Sequence, residues 1–285
     1  MTQLTRLILP CALLIVYTVG CDDQARRKNA RLSRTHFLLG QDYVSKKNPD
    51  GAKHELFQAL KYDANNDQAH GLLGQIFFLE GVHAVDHVER RQCLRGSAAA
   101  EQRRLANDRF RLAERHLMRS LDLAKRRNRL RPETLNYLAN VSMHFMRLEQ
   151  AISYSTRALE NMLYANRFMA LGLRGWAYLK KGDLDRAASD LRQALFHQPH
   201  FCVGRLRLAE VYFRQRTYDQ AEQQLERLVD DKQCALQESA HLLGLTYVKL
   251  RRPMKAKAQF ERCVSRNPNS CMSQECRRLA QLIGQ

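Results

Sequence analysis

Small, aromatic and bulky residues recur along this chain with a period of about 34 residues. The clearest unit is 168–201, where Gly175 stands at position 8, Tyr178 at position 11, Ala187 at position 20 and Leu191 at position 24. The same order of residue types returns in 33–66, 202–235 and 237–270, and in a degenerate form in 132–165. Each unit predicts one pair of helices, which we call A and B.

The residue types at these positions have a packing reason. Positions 8 and 20 lie where helices A and B cross, and only small side chains let two helices approach there. The aromatic residue at position 11 and the bulky residue at position 24 fill the space beside the crossing. One pair cannot bury its apolar face alone, so neighbouring pairs stack. The pattern is that of the tetratricopeptide repeat (TPR) and predicts an all-α helical solenoid of about six helix pairs.

The second unit, 67–127, is interrupted. Its helix A pattern ends near residue 80, and the helix B pattern follows about 27 residues later than expected. The inserted stretch, about 81–112, is charged, alanine-rich and free of proline, so we expect helix with a break near Arg95 and Gly96. It forms either a protruding helical hairpin or lengthened helices. Residues 271–285 are predicted to be the polar capping helix of the solenoid.

Residues 1–20 have the pattern of a signal peptide. Arg6 supplies the n-region charge, and the apolar stretch 7–19 is too short to span a bilayer comfortably. It ends in Thr18-Val19-Gly20-Cys21, which resembles a bacterial lipobox. We therefore predict lipidation of Cys21, with 21–32 as the lipidated N-terminus and tether. The alternative is a plain signal peptide followed by an incidental cysteine.

Asp22 and Asp23 bear on the choice of membrane. They resemble the signal that retains lipoproteins in the inner membrane of enteric bacteria, a rule that does not hold in all bacteria. We expect a cell-envelope protein that faces the periplasm, in the outer membrane by preference, with the inner membrane open because of these two residues.

The chain carries a net charge of +18, from 47 Lys and Arg against 29 Asp and Glu. Such a charge suits nucleic acid, anionic lipid or an acidic protein partner. The arginines are spread through nearly every predicted helix rather than gathered in one arm. Because the signal peptide removes the chain from the cytoplasm, we expect no nucleic-acid partner.

Eight cysteines are present, of which Cys11 leaves with the signal peptide and Cys21 is the lipid site. Six cysteines remain, and an even number in an oxidising compartment favours disulfides, with 15 possible pairings. One of the six, Cys93, lies in the insertion. The six are Cys93, Cys202, Cys234, Cys263, Cys271 and Cys276.

Two pairings have a geometric argument. Cys202 stands at position 1 and Cys234 at position 33 of one unit, and antiparallel helices bring these two ends together. Cys263 lies on the helix B that faces the cap, so its partner is Cys276, with Cys271 as the rival. Cys93, in the insertion, then pairs with Cys271 or stays free.

Motifs of catalysis are lacking. His83, Asp86 and His87 share a helical face at a spacing that can bind a metal, but a third ligand is not evident, and we interpret them as a solvated face. The sequence contains no phosphate-binding loop, GxSxG motif or metalloprotease helix. We expect no enzyme activity, no catalytic residue, no metal and no cofactor.

The concave face of a TPR array is formed by positions 2, 5, 9 and 12 of each helix A. Its C-terminal half is the more apolar, centred on Trp176 and Phe213, and suits a helix or an extended peptide. The alternative is that some of these residues pack between repeats. The predicted groove residues are Phe37, Gln41, Phe78, Asn136, Asn140, Met169, Trp176, Leu206, Glu210, Phe213, His241 and Leu245.

Three sequence runs support a closer resemblance. They are GWAYLKKGD at 175–183, PHFCVG at 199–204 and QCLRG at 92–96. With the lipobox, the repeats and the cap, the chain resembles the TPR pilotin lipoproteins of type IV pili, the Tgl, PilF and PilW kind. Asp22-Asp23 and the large insertion depart from the pattern of the shorter PilF kind.

The resemblance implies a mechanism. A lipid would tether the solenoid while its groove holds a segment of the pilus secretin near the membrane until the subunits multimerise. The partner would then be the secretin. One alternative is an inner-membrane scaffold for another envelope or polysaccharide assembly complex, which Asp22-Asp23 favours. Another is an accessory or cargo-binding module that uses its basic surface for acidic polymers.

Overall fold

The computed structural model describes residues 9–88, 93–127, 129, 131–234 and 236–283, with side chains from residue 23 onward. Helices make up the regular structure of these ranges, which contain no strand, and the predicted all-α fold is confirmed. The α-helices, in chain order, are α1 (Leu9–Ser45), α2 (Pro49–Tyr62), α3 (Asp67–Asp86), α4 (Gly96–Arg126), α5 (Pro132–His144), α6 (Leu148–Leu159), α7 (Arg167–Lys181), α8 (Leu184–His197), α9 (Cys202–Arg214), α10 (Tyr218–Asp230), α11 (Gln237–Lys249), α12 (Pro253–Arg266) and α13 (Cys271–Ile283).

The first twelve of these helices pack as six successive pairs, from α1 with α2 to α11 with α12. Each odd-numbered helix is a helix A and each even-numbered one a helix B. Neighbouring pairs pack on each other, and α13 covers the last pair. The core therefore runs along the whole array as a chain of buried clusters rather than as one centre.

The crossing of each pair is close because a small residue stands there. A methyl group on Gly175 of α7 would lie 2.8 Å from Cγ of Leu191 and 3.2 Å from the carbonyl oxygen of Ala187, both on α8. A methyl group on Gly74 of α3 would lie 2.5 Å from Cγ of Leu117 on α4. At these two crossings the glycine at position 8 is required by packing, since a larger side chain would overlap the bulky residue of helix B.

Helix A ends in the same way in five of the six pairs. The residue at position 15 has a left-handed backbone, and the amide that follows donates to a carbonyl five residues earlier. This arrangement is a Schellman turn, which satisfies the last carbonyls of the helix. It fixes where helix B begins. The residues are Lys47, Met146, Gly182, Arg216 and Arg251, with φ between 56° and 84°.

The second pair lacks this turn. Its helix α3 continues to Asp86 and is 20 residues long, and α4 begins at Gly96 and is 31 residues long. The extra residues of 81–112 therefore lengthen both helices, and the link between them contains Cys93 and Arg95. We call the described residues from 82 to 105, which include Cys93 and Arg95, the hairpin. Gly96, with φ of 63°, starts its second helix.

The first helix is longer than a repeat requires. It runs from Leu9 to Ser45 without a break, so the segment expected to be a tether, 21–32, is helical. Its side chains from Asp23 to Arg31 are exposed, and the solenoid begins at Ser33, a buried residue whose Oγ accepts from Nδ2 of Asn66 at 2.9 Å. The predicted lipid site Cys21 lies within α1, but its side chain and those of the predicted signal peptide lie outside the described part of the chain. Within the described part, no helix has both the length and the hydropathy needed to span a bilayer.

Three disulfides join the cysteines. Cys202 and Cys234 are bonded with Cα atoms 5.4 Å apart, at the two ends of the fifth pair. Cys263 of α12 is bonded to Cys276 of the cap, with Cα atoms 6.3 Å apart. The third bond joins Cys93 to Cys271, with Cα atoms 4.6 Å apart, across 178 residues. The sequence left the partner of Cys93 open.

Candidate binding groove

The helix A faces together line a concave groove, and three cavities lie along it. The first has a volume of about 310 Å³ and lies between the hairpin and helices α5 and α7. Three predicted groove residues, Phe78, Asn140 and Trp176, line it. The rest of its lining comes from Val82, Val85, Asp86, Phe110 and His144.

The second cavity has a volume of about 320 Å³ and lies between α9 and α11. Five predicted groove residues line it, and Arg207, Arg214, Glu238 and Leu242 complete it. The structure therefore brings the C-terminal half of the predicted groove together around one depression. The five residues are Leu206, Glu210, Phe213, His241 and Leu245.

The third cavity, of about 220 Å³, lies among α1, α3 and α5. Phe37 and Gln41 line it, but Phe37 is only 7% exposed and belongs to the buried cluster that joins the first three pairs. Two predicted residues line none of these cavities. Met169 is exposed in the first turn of α7, and Asn136 is buried on α5.

Trp176 lies between the two larger cavities. Its ring borders the first cavity, and the guanidinium Cζ of Arg207 lies 4.7 Å from its ring centre. Arg207 and Arg214 both donate to the carboxylate of Glu210, each at 2.9 Å. The wall between the two cavities therefore contains a cation–π contact, in which Arg207 lies over Trp176. The carboxylate of Glu210 holds Arg207 in place and also accepts from Arg214.

Three side-chain polar atoms in the described part of this region are buried without a hydrogen-bond partner. They are the indole Nε1 of Trp176 and Nε of Arg207, both donors, and Oδ1 of Asn136, an acceptor. The side-chain amide of the neighbouring Asn140 donates to the main-chain carbonyl of Asn136 at 3.0 Å. Because buried polar atoms are almost always paired in a native protein and Trp176 borders the first cavity, its Nε1 is a candidate donor to a ligand, whereas Asn136 lines none of the cavities.

The histidines of the groove favour the neutral form. Burial lowers the pKa of His144, whose ring stacks on Phe110 with centres 3.8 Å apart and whose Nε2 lies 2.8 Å from Oδ1 of Asn107. Burial also lowers the pKa of His241, which borders the second cavity. At neutral pH both rings add apolar surface to the groove rather than charge.

Sequence reasoning does not predict the hairpin side of the first cavity. Val82, Val85 and Phe110 line this cavity, although they belong to the insertion, which contributes none of the predicted groove residues. A signal was present: Phe78, Val82 and Val85 follow one another at a spacing of four and three residues, which places them on one helix face. Helix α3 simply carries the groove-lining face of its repeat further.

The metal interpretation of the same segment gains no support. Asp86 lines the first cavity, and His83 is exposed on α3. In the part of the chain that the structure describes, no three residues among His, Cys, Asp and Glu are grouped so as to hold a metal ion.

Part of the positive charge has a structural role. Seven arginines of the described chain donate to main-chain carbonyls at helix ends and connecting loops, where the negative end of the helix dipole favours a cation. They hold the connections between pairs rather than form one exposed patch. They are Arg127, Arg167, Arg205, Arg214, Arg262, Arg266 and Arg277.

Two family models match the chain by sequence. Both describe tetratricopeptide repeats, one over residues 178–241 and the other over residues 237–270. These ranges include the fifth and sixth helix pairs and most of the fourth. No curated protein matches the sequence.

Solved structures share the fold over nearly the whole chain. PilF of Pseudomonas aeruginosa is 18% identical with a TM-score of 0.62, covering 88% of this chain and 99% of its own. PilW, described as a widely conserved type IV pilus biogenesis factor, is 18% identical with a TM-score of 0.64, covering 85% of this chain and 97% of its own. A chain of the APC/C hetero-tetramer Cut9–Hcn1 is 15% identical with a TM-score of 0.64, covering 94% of this chain and 45% of its own.

These findings define the class of protein. The chain is an all-α TPR solenoid, a fold that ordinarily binds other proteins along its concave face rather than catalysing a reaction. In architecture it is similar to PilF and PilW over nearly their full length.

Proposed function

We propose that this protein is a pilotin: a lipid-anchored, periplasm-facing TPR protein that binds subunits of the type IV pilus secretin and promotes their assembly and membrane targeting. The observation that carries the proposal is the groove itself. Its two larger cavities, of about 310 and 320 Å³, lie along the helix A faces of a solenoid whose fold extends over the length of PilF and PilW.

The groove suits an extended polypeptide segment. Phe78, Val82 and Trp176 offer apolar contacts to its side chains. The unpaired Nε1 of Trp176, which borders the first cavity, would donate to one of its main-chain carbonyls. Main-chain hydrogen bonds give affinity in such complexes, and the apolar pockets select the side chains.

The anchor follows from the sequence. Acyl chains on Cys21 would hold the N-terminus at the membrane, since more than one chain gives stable anchoring. Helix α1 would then place the first buried residue, Ser33, about 18 Å from Cys21, because a helix rises 1.5 Å per residue. We expect Cys21→Ser to move the protein from the membrane fraction to the soluble fraction.

The test is affinity capture from detergent-solubilised envelope with the full chain as bait. We expect the secretin to co-purify with the wild-type bait and to be depleted with Val82→Glu, which puts a charge into the first cavity at a residue that is already 40% exposed. The matched control is Met118→Glu on the helix B surface, at a residue 51% exposed. Equal secretin capture by all three baits would remove the groove from the proposal. A secretin that still multimerises in a strain lacking this protein would remove the pilotin role.

A second candidate is an inner-membrane scaffold for another envelope or polysaccharide assembly complex. Asp22 and Asp23 next to the anchor favour it. Separation of inner and outer membranes on a density gradient decides between the two: recovery of the protein with the inner membrane supports the scaffold and counts against a role at an outer-membrane secretin.

A further inference from the structure

The bond between Cys93 and Cys271 differs in kind from the other two disulfides. Cys202–Cys234 spans 32 residues within one helix pair, and Cys263–Cys276 spans 13 residues between the last pair and its cap. Cys93–Cys271 spans 178 residues and joins the hairpin of the second pair to the first residue of the cap. A second contact supports it, since Nη2 of Arg95 donates to Oε1 of Gln274 at 2.5 Å.

This bond closes a covalent circuit around the groove. The circuit starts at Cys93, passes through α4 and the helices of the third to sixth pairs, and returns at Cys271. The first cavity shows which side of the circuit is enclosed. Its lining comes from the hairpin and its base on one side, with Val82, Val85 and Phe110, and from α5 and α7 on the other, with His144 and Trp176.

The hairpin does not fill the groove that it closes. In the described residues α3 and α4 pack on each other and on α5, and neither packs extensively on α9, α11 or α13. The second cavity, between α9 and α11, therefore stays clear of the hairpin. The hairpin reaches the cap through the disulfide and the Arg95 contact, so the Cys93–Cys271 disulfide is the bond that closes the circuit.

We propose that the Cys93–Cys271 bond turns the concave face of the third to sixth pairs into a closed collar, whose occupant is a single extended polypeptide segment that enters by a free end. This inference rests on the proposed function, because it specifies the form of the partner segment in the same groove. A chain can pass through a closed circuit only by threading one of its ends. A segment flanked by folded domains on both sides therefore cannot be threaded through the collar, whereas a segment with an unfolded free end can.

The first experiment needs no partner. The reporter is Trp176, the one tryptophan of the chain, which borders the first cavity. We compare the wild type with the pair Cys93→Ser and Cys271→Ser, and with the pair Cys202→Ser and Cys234→Ser as the matched control. We expect quenching of Trp176 by acrylamide to rise about twofold in the first pair, since opening the circuit loosens the groove, and to stay near the wild-type value in the control.

The second experiment first identifies the secretin segment by photocrosslinking from a photoreactive residue introduced in place of Val82, and then uses that segment. The segment is presented with one free end, or between two small folded domains. The collar requires that the wild type bind only the free-ended form and that the Cys93→Ser, Cys271→Ser protein bind both. Binding of the two-domain form to the oxidised wild type with the same affinity would overturn the collar while leaving the groove proposal intact.

The failures of the two proposals are thus distinguishable. If no secretin segment crosslinks, the proposed function fails, and the quenching experiment still decides whether the bond encloses Trp176. Unchanged quenching in the Cys93→Ser, Cys271→Ser protein, with circular dichroism showing an intact helical fold and mass spectrometry showing the other two bonds intact, overturns the collar.

Discussion

The guanidinium of Arg207 lies over the indole ring of Trp176, with its Cζ 4.7 Å from the ring centre. Trp176 belongs to α7 and Arg207 to α9, so the contact joins the concave faces of two successive helix pairs. Such a contact stabilises by about 0.5–1 kcal/mol when exposed and by about 2 kcal/mol when desolvated. It forms part of the wall between the two larger cavities.

We expect Arg207→Met to lower the free energy of unfolding by about 1 kcal/mol, because the aliphatic stem is kept and the cation over the ring is lost. The fluorescence emission maximum of Trp176 should also shift, and because the chain has one tryptophan, the whole tryptophan signal comes from this residue. The control is Arg186→Met, where the guanidinium lies 4.7 Å from the ring centre of Tyr178 and is exposed. The same emission change in both variants would show that the groove contact is not the cause.

Stability should fall in mild acid because of a histidine pair. Nδ1 of His70 on α3 lies 3.0 Å from Nδ1 of His116 on α4. Burial, with a further contribution from His70 and Arg115, lowers the pKa of His116 from 6.5 to about 4, and burial lowers that of His70. Between pH 6.5 and pH 4 the unfolded chain binds more protons than the folded one, so stability decreases as the pH falls through this window.

We expect His116 to contribute a loss of about 1–2 kcal/mol between pH 7 and pH 4, a value reduced by its partial exposure to solvent. Thermal melts over this range measure it. His116→Phe should flatten the curve, because a phenyl ring retains the stacking on Phe77, whose ring centre lies 5.7 Å away. His54→Phe, at an exposed histidine, should leave the wild-type slope. A slope that survives in His116→Phe would assign the acid sensitivity to other groups.

The regular part of the fold could be predicted because its cause is local. Gly175 and Leu191 meet within one helix pair, so their spacing in the sequence is enough to identify the crossing. The same holds for Cys202 and Cys234, which stand at the two ends of one pair. Phe78 and Trp176 could also be placed on the concave face, since each occupies a fixed position of its own helix A.

The closure of the groove could not be predicted because its cause is not local. The separation of Cys93 from Cys271 depends on the rotation between each pair and the next, added over the third to sixth pairs, and small differences in each rotation accumulate. Nothing in the residues around Cys93 fixes that sum. Asn136 is a second example, since its position in helix α5 indicates the groove whereas its neighbours bury it to 8% exposure.

Glycines at positions 8 and 15 of one repeat should fail for different reasons. A methyl group on Gly175 meets Leu191 at 2.8 Å, so Gly175→Ala should cost about 1–3 kcal/mol through overpacking. Gly182 has a φ of 84° and no atom near its missing side chain, so Gly182→Ala should cost about 1–2 kcal/mol through the left-handed backbone alone.

Urea unfolding followed by circular dichroism measures both losses, and Leu191→Ala distinguishes them. Removing the bulky partner should relieve the cost of Gly175→Ala in the double variant, because the two side chains compete for one space, but should add independently to Gly182→Ala. Additive losses in both double variants would mean that the crossing is not the reason for the glycine at position 8.

The three disulfides should be reduced in a fixed order, and this order follows from their surroundings. Attack by a thiolate requires access to a sulfur atom, and exposed disulfides are the labile ones. Cys271 is exposed at the start of the cap, whereas Cys263 and Cys276 are fully buried. Under native conditions a low concentration of dithiothreitol should therefore open Cys93–Cys271 first and Cys263–Cys276 last.

Differential alkylation followed by peptide mass spectrometry gives the order directly. The helical signal should persist after the first bond opens, because each pair of a solenoid depends on its neighbours and not on distant contacts. The protein in which Cys93 and Cys271 are both serine serves as the control, since its two remaining bonds should be reduced at their wild-type rates. Loss of the Cys263–Cys276 bond before Cys93–Cys271 would mean that the cap separates from the last helix pair more readily than from the hairpin, and that the groove opens at its C-terminal end.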